Sequence, residues 1–200
     1  MIFICGNARA GKDTLFLVLS EILKDNVVCE RFALADELKC IVSPFTKQHF
    51  NISAFTKDPD EKELRRPILV EVAEVFRKLS KGAHWTSLLQ PKIEESIKNG
   101  NLPIVTDGRF CEYPDDELWW AKRNGGAVVY VSRFYPDCTI VGPANQKEIE
   151  NNKKLIDNAD FCVNWPTSDN FQYLCDIVKV QLKDLINILC LKYPKKQTTN

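Results

Sequence analysis

The sequence predicts an α/β fold, a parallel sheet covered by helices on both faces. Two observations predict it. Short apolar runs alternate along the chain with segments whose apolar residues recur at helical spacing. Strands separated by helices form βαβ units, whose strands are parallel and buried on both sides. The first apolar run also leads directly into a glycine-rich turn, GNARAGKDT, and then into an amphipathic segment.

The elements follow in order. Ile2 to Cys5 is the first strand. A helix from Gly11 to about Lys24 carries Leu15, Val18, Leu19, Ile22 and Leu23 on one face. Val27 to Phe32 is a second strand, and ALADELKCIVS a short helix that Pro44 ends. Residues 45–64 fit neither period and read as a mobile insertion. Helices follow from about Arg66 to Ser80, with Pro67 in the first turn, and from Trp85 to about Lys98, before Asn99-Gly100. LPIVTDGR is a strand, Asp115 to Asn124 a helix, and AVVYVSR the cleanest buried strand. Residues 134–152 are polar, with Pro136, Gly142 and Pro143, and read as a loop or lid. ADFCVNW is the last strand. One long amphipathic helix from about Asp169 to Leu191 follows, with 192–200 as a frayed tail.

Bulk properties bound the function. A chain of 200 residues suits a single domain, here 1–200. Lys+Arg and Asp+Glu are 27 each, so no basic field favours a polymeric nucleic acid as partner. The eight cysteines form no C-x-x-C pair and no disulfide framework, which suits buried reduced thiols. The apolar start is too short and lacks the basic leader of a signal peptide, and no apolar run has membrane-spanning length. A soluble, cytoplasmic protein without a membrane partner is expected.

Gly6 to Thr14 is almost the phosphate-binding pattern G-x-x-x-x-G-K-[ST], with Asp13 in place of the hydroxyl residue. Gly6 permits a sharp turn, and Gly11 lets backbone N–H groups approach a phosphate at a helix start. Lys12 brings a mobile cation to the β- and γ-phosphates. Asp13 is a hard oxygen donor that suits Mg²⁺, directly or through water; it equally suits stabilising the helix N-terminus. Thr14 is placed to hydrogen-bond the α-phosphate or to join the metal shell.

TDGR, 106–109, ends a strand where ligands bind in open α/β sheets. Asp107 suits a metal-shell or acceptor-orienting acid, and Arg109 a bridge between donor and acceptor phosphates. A plain D-G turn with a surface arginine is the competing reading. Arg133 ends its strand in the same way and suits charge neutralisation in phosphoryl transfer, or a solvated strand end. Lys39, Arg65 and Arg66 are candidate clamps for an acceptor phosphate, although isolated surface charges have the same pattern. Trp85 is a core residue or a platform for a base. His84 and the cysteines receive no role, and Trp119-Trp120 reads as packing.

Together GNARAGKDT, RFALADELKC, RRPIL…W and VTDGRF…AKRNGGAVVYVSR resemble the bacteriophage deoxynucleoside monophosphate kinases, in order and approximate spacing, over nearly the whole chain. The animal-type phosphomevalonate kinases are similar in their G-K-D loop and D-x-R strand end. The resemblance implies a three-layer P-loop NTPase fold with a five-stranded parallel sheet, a helical acceptor-binding region over 34–98 and a lid over 134–152. It implies ATP and Mg²⁺, with Gly6, Asn7, Ala8, Arg9, Ala10, Gly11, Lys12, Asp13 and Thr14 as the donor site. Lys39, Arg66 and Trp85 fall near acceptor-site positions, and Asp107 and Arg109 at the shared strand end. The partner expected is a small-molecule nucleotide acceptor, for a monomer or homodimer, in the host cytoplasm if the chain is of phage origin. Two departures stand: 45–64 is short beside the phage enzymes, and NQKEIENNKKLIDNAD lacks a histidine-acid lid pattern. A phosphomevalonate kinase and a non-catalytic nucleotide-binding module are the alternatives.

Overall fold

The computed structural model describes residues 1–142 and 146–194, without the side chains of residues 147 and 148. In chain order the elements are β1 (Ile2–Cys5), α1 (Lys12–Leu23), β2 (Cys29–Phe32), α2 (Leu34–Phe50), α3 (Pro59–Leu79), α4 (Ala83–Lys98) and β3 (Leu102–Gly108). They continue with α5 (Glu117–Arg123), β4 (Ala127–Phe134), α6 (Gln146–Asp157), β5 (Phe161–Pro166), α7 (Phe171–Gln181) and α8 (Lys183–Lys192). Among the described residues the five strands form one sheet, ordered β2-β3-β1-β4-β5, with every pairing parallel. The five-stranded parallel sheet of the expected α/β fold is therefore present.

Strand periodicity divides the core. Successive side chains of β1 point to opposite faces, so Ile2 and Ile4 enter one layer while Phe3 and Cys5 enter the other. The first layer packs Leu15, Val18 and Leu19 of α1 with Leu174 and Val178 of α7 and Leu185 of α8. The second gathers Leu38 and Val42 of α2, Leu89 of α4, Leu118 of α5 and Leu155 of α6. All four β1 residues are fully buried, as a central strand between β3 and β4 requires. That order brings the carboxyl ends of β1, β3 and β4 side by side, at the point where connections leave in opposite directions.

Four elements differ from the sequence-based expectation. α2 runs through Pro44 to Phe50. Pro44 cannot donate the usual helical hydrogen bond, but the inward stripe of Leu38, Val42, Ser43 and Thr46 stays buried on both sides of it. Asn51, at φ 56°, then ends the helix, its N–H donating to Lys47 O. Of residues 45–64 only 51–58 are thus irregular: α3 begins at Pro59, capped by the Asp58 carboxylate, which accepts from the N–H groups of Asp60 and Glu61. The expected single C-terminal helix breaks at Leu182, whose φ of −108° and ψ of 23° are not helical and whose side chain is fully buried. Of the loop or lid expected over 134–152, residues 143–145 lie outside the described residues, and 146–152 belong to α6, which has few apolar residues but buries Asn151. Lys192 closes α8; of the tail expected over 192–200, residues 195–200 lie outside the described residues.

Candidate functional site

The loop after β1 lies flat against the carboxyl ends of β4 and β5. Gly6 has φ 144°, and a Cβ there would stand 2.3 Å from Val131 O. Gly11, at φ 92°, would place one 2.5 Å from Arg133 Nη2 and 2.8 Å from Trp165 Cζ2. Only glycine fits either position. Between them Ala8 and Arg9 form the turn, with Arg9 at φ 66°. Ala10 N–H donates to Asn7 O (3.2 Å), and the Asn7 amide to Val141 O (3.3 Å). Trp165, fully buried at the end of β5, donates its indole N–H to Ala10 O at 2.9 Å. The Lys12 ammonium sits inside the curve, donating to Gly6 O (2.7 Å) and Asn7 O (2.9 Å).

Asp13 and Thr14 lie in the first turn of α1, directly after the loop. Asp13 Oδ1 accepts from Thr106 Oγ1 and from Arg31 Nε, both at 2.9 Å. Arg31 also donates to Asp36 Oδ2 (3.0 Å), whose Oδ1 accepts from Lys39 (2.7 Å). Burial tends to raise the Asp36 carboxyl, but the bonds from Lys39 and Arg31 outweigh it and hold the group below its ordinary value. A chain of alternating charges therefore runs from the loop's end to α2.

The TDGR turn is fixed from two directions. Asp107 accepts from the N–H groups of Leu34 (2.9 Å) and Ala35 (2.7 Å), so its carboxylate caps α2. Burial pushes this carboxyl up, against those two donors. Beyond Gly108, Glu117 Oε2 accepts from Arg109 N (2.6 Å) and Phe110 N (3.1 Å). Burial, reinforced by nearby Asp107, pushes the Glu117 carboxyl up to about 8. Arg109 lines a narrow cleft with Gly6, Asn7 and Leu155 of α6. α6 is pinned there by Asn151, whose Oδ1 accepts from Cys111 N (3.1 Å) and whose amide donates to Glu112 (3.2 Å). Glu112 and the fully buried Asp116 pair with Arg77 at 2.6 and 2.8 Å, while the Phe110 ring lies 4.0 Å from the Arg77 guanidinium.

The acceptor candidates lie apart from the loop. Lys39 pairs with Asp36 and lies 5.6 Å from the centre of the Phe55 ring. Arg65 is nine-tenths buried in α3, and its Nε has no hydrogen-bond partner. Burial, with Arg66 adjacent, lowers its pKa. Arg66 is exposed and pairs with Glu63 at 3.4 Å. Trp85 is buried in the packing of α3 on α4, with its indole N–H on Ala73 O (3.3 Å) and its ring edge-on to Phe76 and His84. Among the described residues, no hydrogen bond or ion pair links Arg65, Arg66 or Trp85 to the loop.

Lys12 and Asp13 thus follow directly on the loop, Arg133 lies against Gly11, and Asp107 and Arg109 lie at the end of β3, with both Asp107 oxygens taken by the start of α2. Sequence reasoning missed Trp165, Arg31, Thr106 and Glu117. Thr106 lay inside TDGR and Arg31 opened RFALADELKC, but neither was given a role.

The eight cysteines are free thiols; Cys5, Cys111 and Cys175 are buried, while Cys40, Cys138 and Cys162 are exposed. Burial pushes the Cys5 thiol up, which leaves it unreactive. Among the described residues, no three His, Cys, Asp or Glu side chains group to hold a metal, and no helix is long and apolar enough to cross a membrane.

No family model and no curated relative matches the sequence. Among solved structures, the chain is similar to a dephospho-CoA kinase from Campylobacter jejuni, at 13% identity and a TM-score of 0.46, over 92% of this chain and 98% of that one.

Proposed function

We propose that the protein transfers the γ-phosphoryl group of ATP to a deoxynucleoside monophosphate, giving a deoxynucleoside diphosphate and ADP. The observation that carries this reading is the convergence of cations on one glycine-fixed loop. Lys12 lies within its curve, Arg133 against Gly11, and Arg109 on the cleft shared with Gly6 and Asn7. A pure binding module needs fewer positive groups than a transferring γ-phosphoryl does. The choice of a deoxynucleoside monophosphate rests on the resemblance of the loop, the RRPIL stretch and the TDGR strand end to the phage kinases.

In this reading the loop N–H groups and the α1 N-terminus hold the β- and γ-phosphates. An oxygen of the acceptor phosphate attacks the γ-phosphorus while the bond to the β–γ bridging oxygen breaks, and ADP departs with that electron pair. The acceptor phosphate is already ionised, so no side chain need act as general base. Lys12, Arg109 and Arg133 neutralise charge on the equatorial oxygens and hold donor and acceptor in line. Lys39, with Arg65 and Arg66, receives the acceptor phosphate when the 34–98 region closes.

The residues present fit a magnesium ion. Asp13 and Thr14 offer hard oxygens at the loop's end, and the Asp13 side chain is 70% exposed. A site with one or two protein oxygens, completed by phosphates and water, is the usual magnesium arrangement. When bound, the ion neutralises phosphate charge. Free thiols and soluble nucleotide substrates suit the cytoplasm.

The test is a panel of deoxynucleoside monophosphates and phosphomevalonate, each with ATP, read as ADP release. Stimulation by at least one deoxynucleoside monophosphate is expected. Stimulation by phosphomevalonate alone would reassign the acceptor, and ATP binding without acceptor-dependent release would leave a nucleotide-binding module.

A further inference from the structure

We propose that Glu117 is a positioning residue that aims Arg109 at the phosphate loop, a role that rests on the phosphoryl-transfer reading above. β3 ends at Gly108, so the N–H groups of Arg109 and Phe110 have left the sheet's hydrogen-bond ladder. Both donate instead to one oxygen, Glu117 Oε2, at 2.6 and 3.1 Å. Glu117 opens α5, where a glutamate ordinarily faces solvent and the helix dipole. Here it turns inward and is 7% exposed. Burying a carboxyl is costly unless its oxygens are hydrogen-bonded, and the pair of backbone donors provides that bonding.

The two neighbouring acids, Asp107 and Asp116, are engaged elsewhere. Asp107 has its two oxygens on the N–H groups of Leu34 and Ala35. Asp116 accepts from Arg77 and from Tyr113 N. The rest of the turn is also tied to α5, through Leu118 N on Phe110 O (3.3 Å) and the Trp119 indole on Cys111 O (3.1 Å). α5 therefore carries the segment as one body. Glu117 is the member of that body that grips the backbone of Arg109 itself, which lines the cleft with Gly6 and Asn7.

Three variants and one double variant test the role: E117A, E117Q, R109A and R109A/E117A. E117Q keeps an accepting oxygen and is expected to hold turnover near wild type. E117A is expected to lower kcat by ~10²-fold, the cost of displacing a reacting or stabilising group by about 1 Å, with little change in KM for ATP. In the double variant kcat is expected to equal that of R109A alone, because Glu117 acts through Arg109. Amide hydrogen exchange at Arg109 and Phe110 is expected to quicken in E117A and not in E117Q. Unchanged exchange in E117A, or kcat losses that multiply in the double variant, would overturn the proposal. If E117A fails to fold, E117D replaces it, since its shorter side chain cannot keep both bonds. If the wild-type protein shows no acceptor-dependent ADP release, the kinase reading falls on its own. Amide exchange at Arg109 and Phe110, which does not depend on turnover, then decides the positioning role alone: quicker exchange in E117A but not in E117Q supports it, and unchanged exchange in E117A sinks it.

Discussion

The indole N–H of Trp165 donates to the carbonyl oxygen of Ala10 at 2.9 Å, joining the end of β5 to the glycine loop after β1 across 155 positions of sequence. The same ring lies beside Gly11, so Trp165 supports the loop from beneath while its N–H fixes the peptide before Gly11.

Trp165→Phe keeps a ring in the layer but removes the donor. Leaving the buried Ala10 carbonyl unpaired is expected to cost about 1–3 kcal/mol in urea unfolding. ATP affinity, measured by titration, should fall with it. Unfolding loss with unchanged ATP affinity would show that the bond serves the core and not the loop.

Gly6→Ala attacks the loop from the other end. Its backbone φ of 144° is strained for any residue with a Cβ, and that atom would meet Val131 O at 2.3 Å. Strain at such a position is on the order of 1–3 kcal/mol before the clash is counted. The variant is expected to lose ATP binding and to melt at a lower temperature. Wild-type affinity in Gly6→Ala would show that the loop geometry is not needed for the nucleotide.

The loop was legible because its signal is local: Gly6, Gly11 and Lys12 have fixed spacing between an apolar run and a helical pattern. Asp107 and Arg109 were legible as the end of a strand, but not the cap that Asp107 gives α2 through the N–H groups of Leu34 and Ala35. Trp165 was not, since a tryptophan ending an apolar strand has the same pattern whether it only fills the core or also bonds the loop. Glu117 was hidden for a related reason: in DDELWW it reads as a solvated acid at a helix start, and only the close approach of β3 turns it inward. Pro44 misled because a local breaking signal was outweighed by burial of α2 on both sides of it. The Asp58-Pro59 start of α3 was in fact written in the sequence, as a capping acid followed by proline, but lay within a charged run that shows no period.

Lys12→Met tests the chemistry most directly. The ammonium is held by Gly6 O and Asn7 O, inside the loop, and the methionine keeps its length without its charge. Acceptor-dependent ADP release is expected to fall by ~10²-fold or more, the size of losing one transition-state donor. A near-wild-type rate would remove the loop from the mechanism.

Arg77 supports the site from a distance. It pairs with Asp116, which is fully buried, and with Glu112, which accepts from Asn151 of α6. Arg77→Met leaves the Asp116 carboxylate buried without its cation, a change that typically costs about 3–5 kcal/mol. Urea unfolding should report it. Replacing Asp116 by Asn in the same background should recover part of the loss, because the uncompensated charge is then gone.

Glu117 gives stability a pH dependence of known sign. Its carboxyl titrates near 4.5 in the unfolded chain and is pushed up to about 8 in the fold, first by burial and then by Asp107, with Asp116 adding in the same direction. The folded state therefore binds the proton more tightly. Its contribution is fully present below about pH 4.5 and is lost as pH rises toward 8, by up to about 1.4 kcal/mol for each unit crossed. Asp107, raised by its own burial, acts with the same sign. Urea midpoints measured across this window should fall with rising pH in the wild-type protein and fall less in E117Q, which cannot ionise. Parallel profiles for the two proteins would mean that Glu117 keeps an ordinary carboxylate's pKa in the fold.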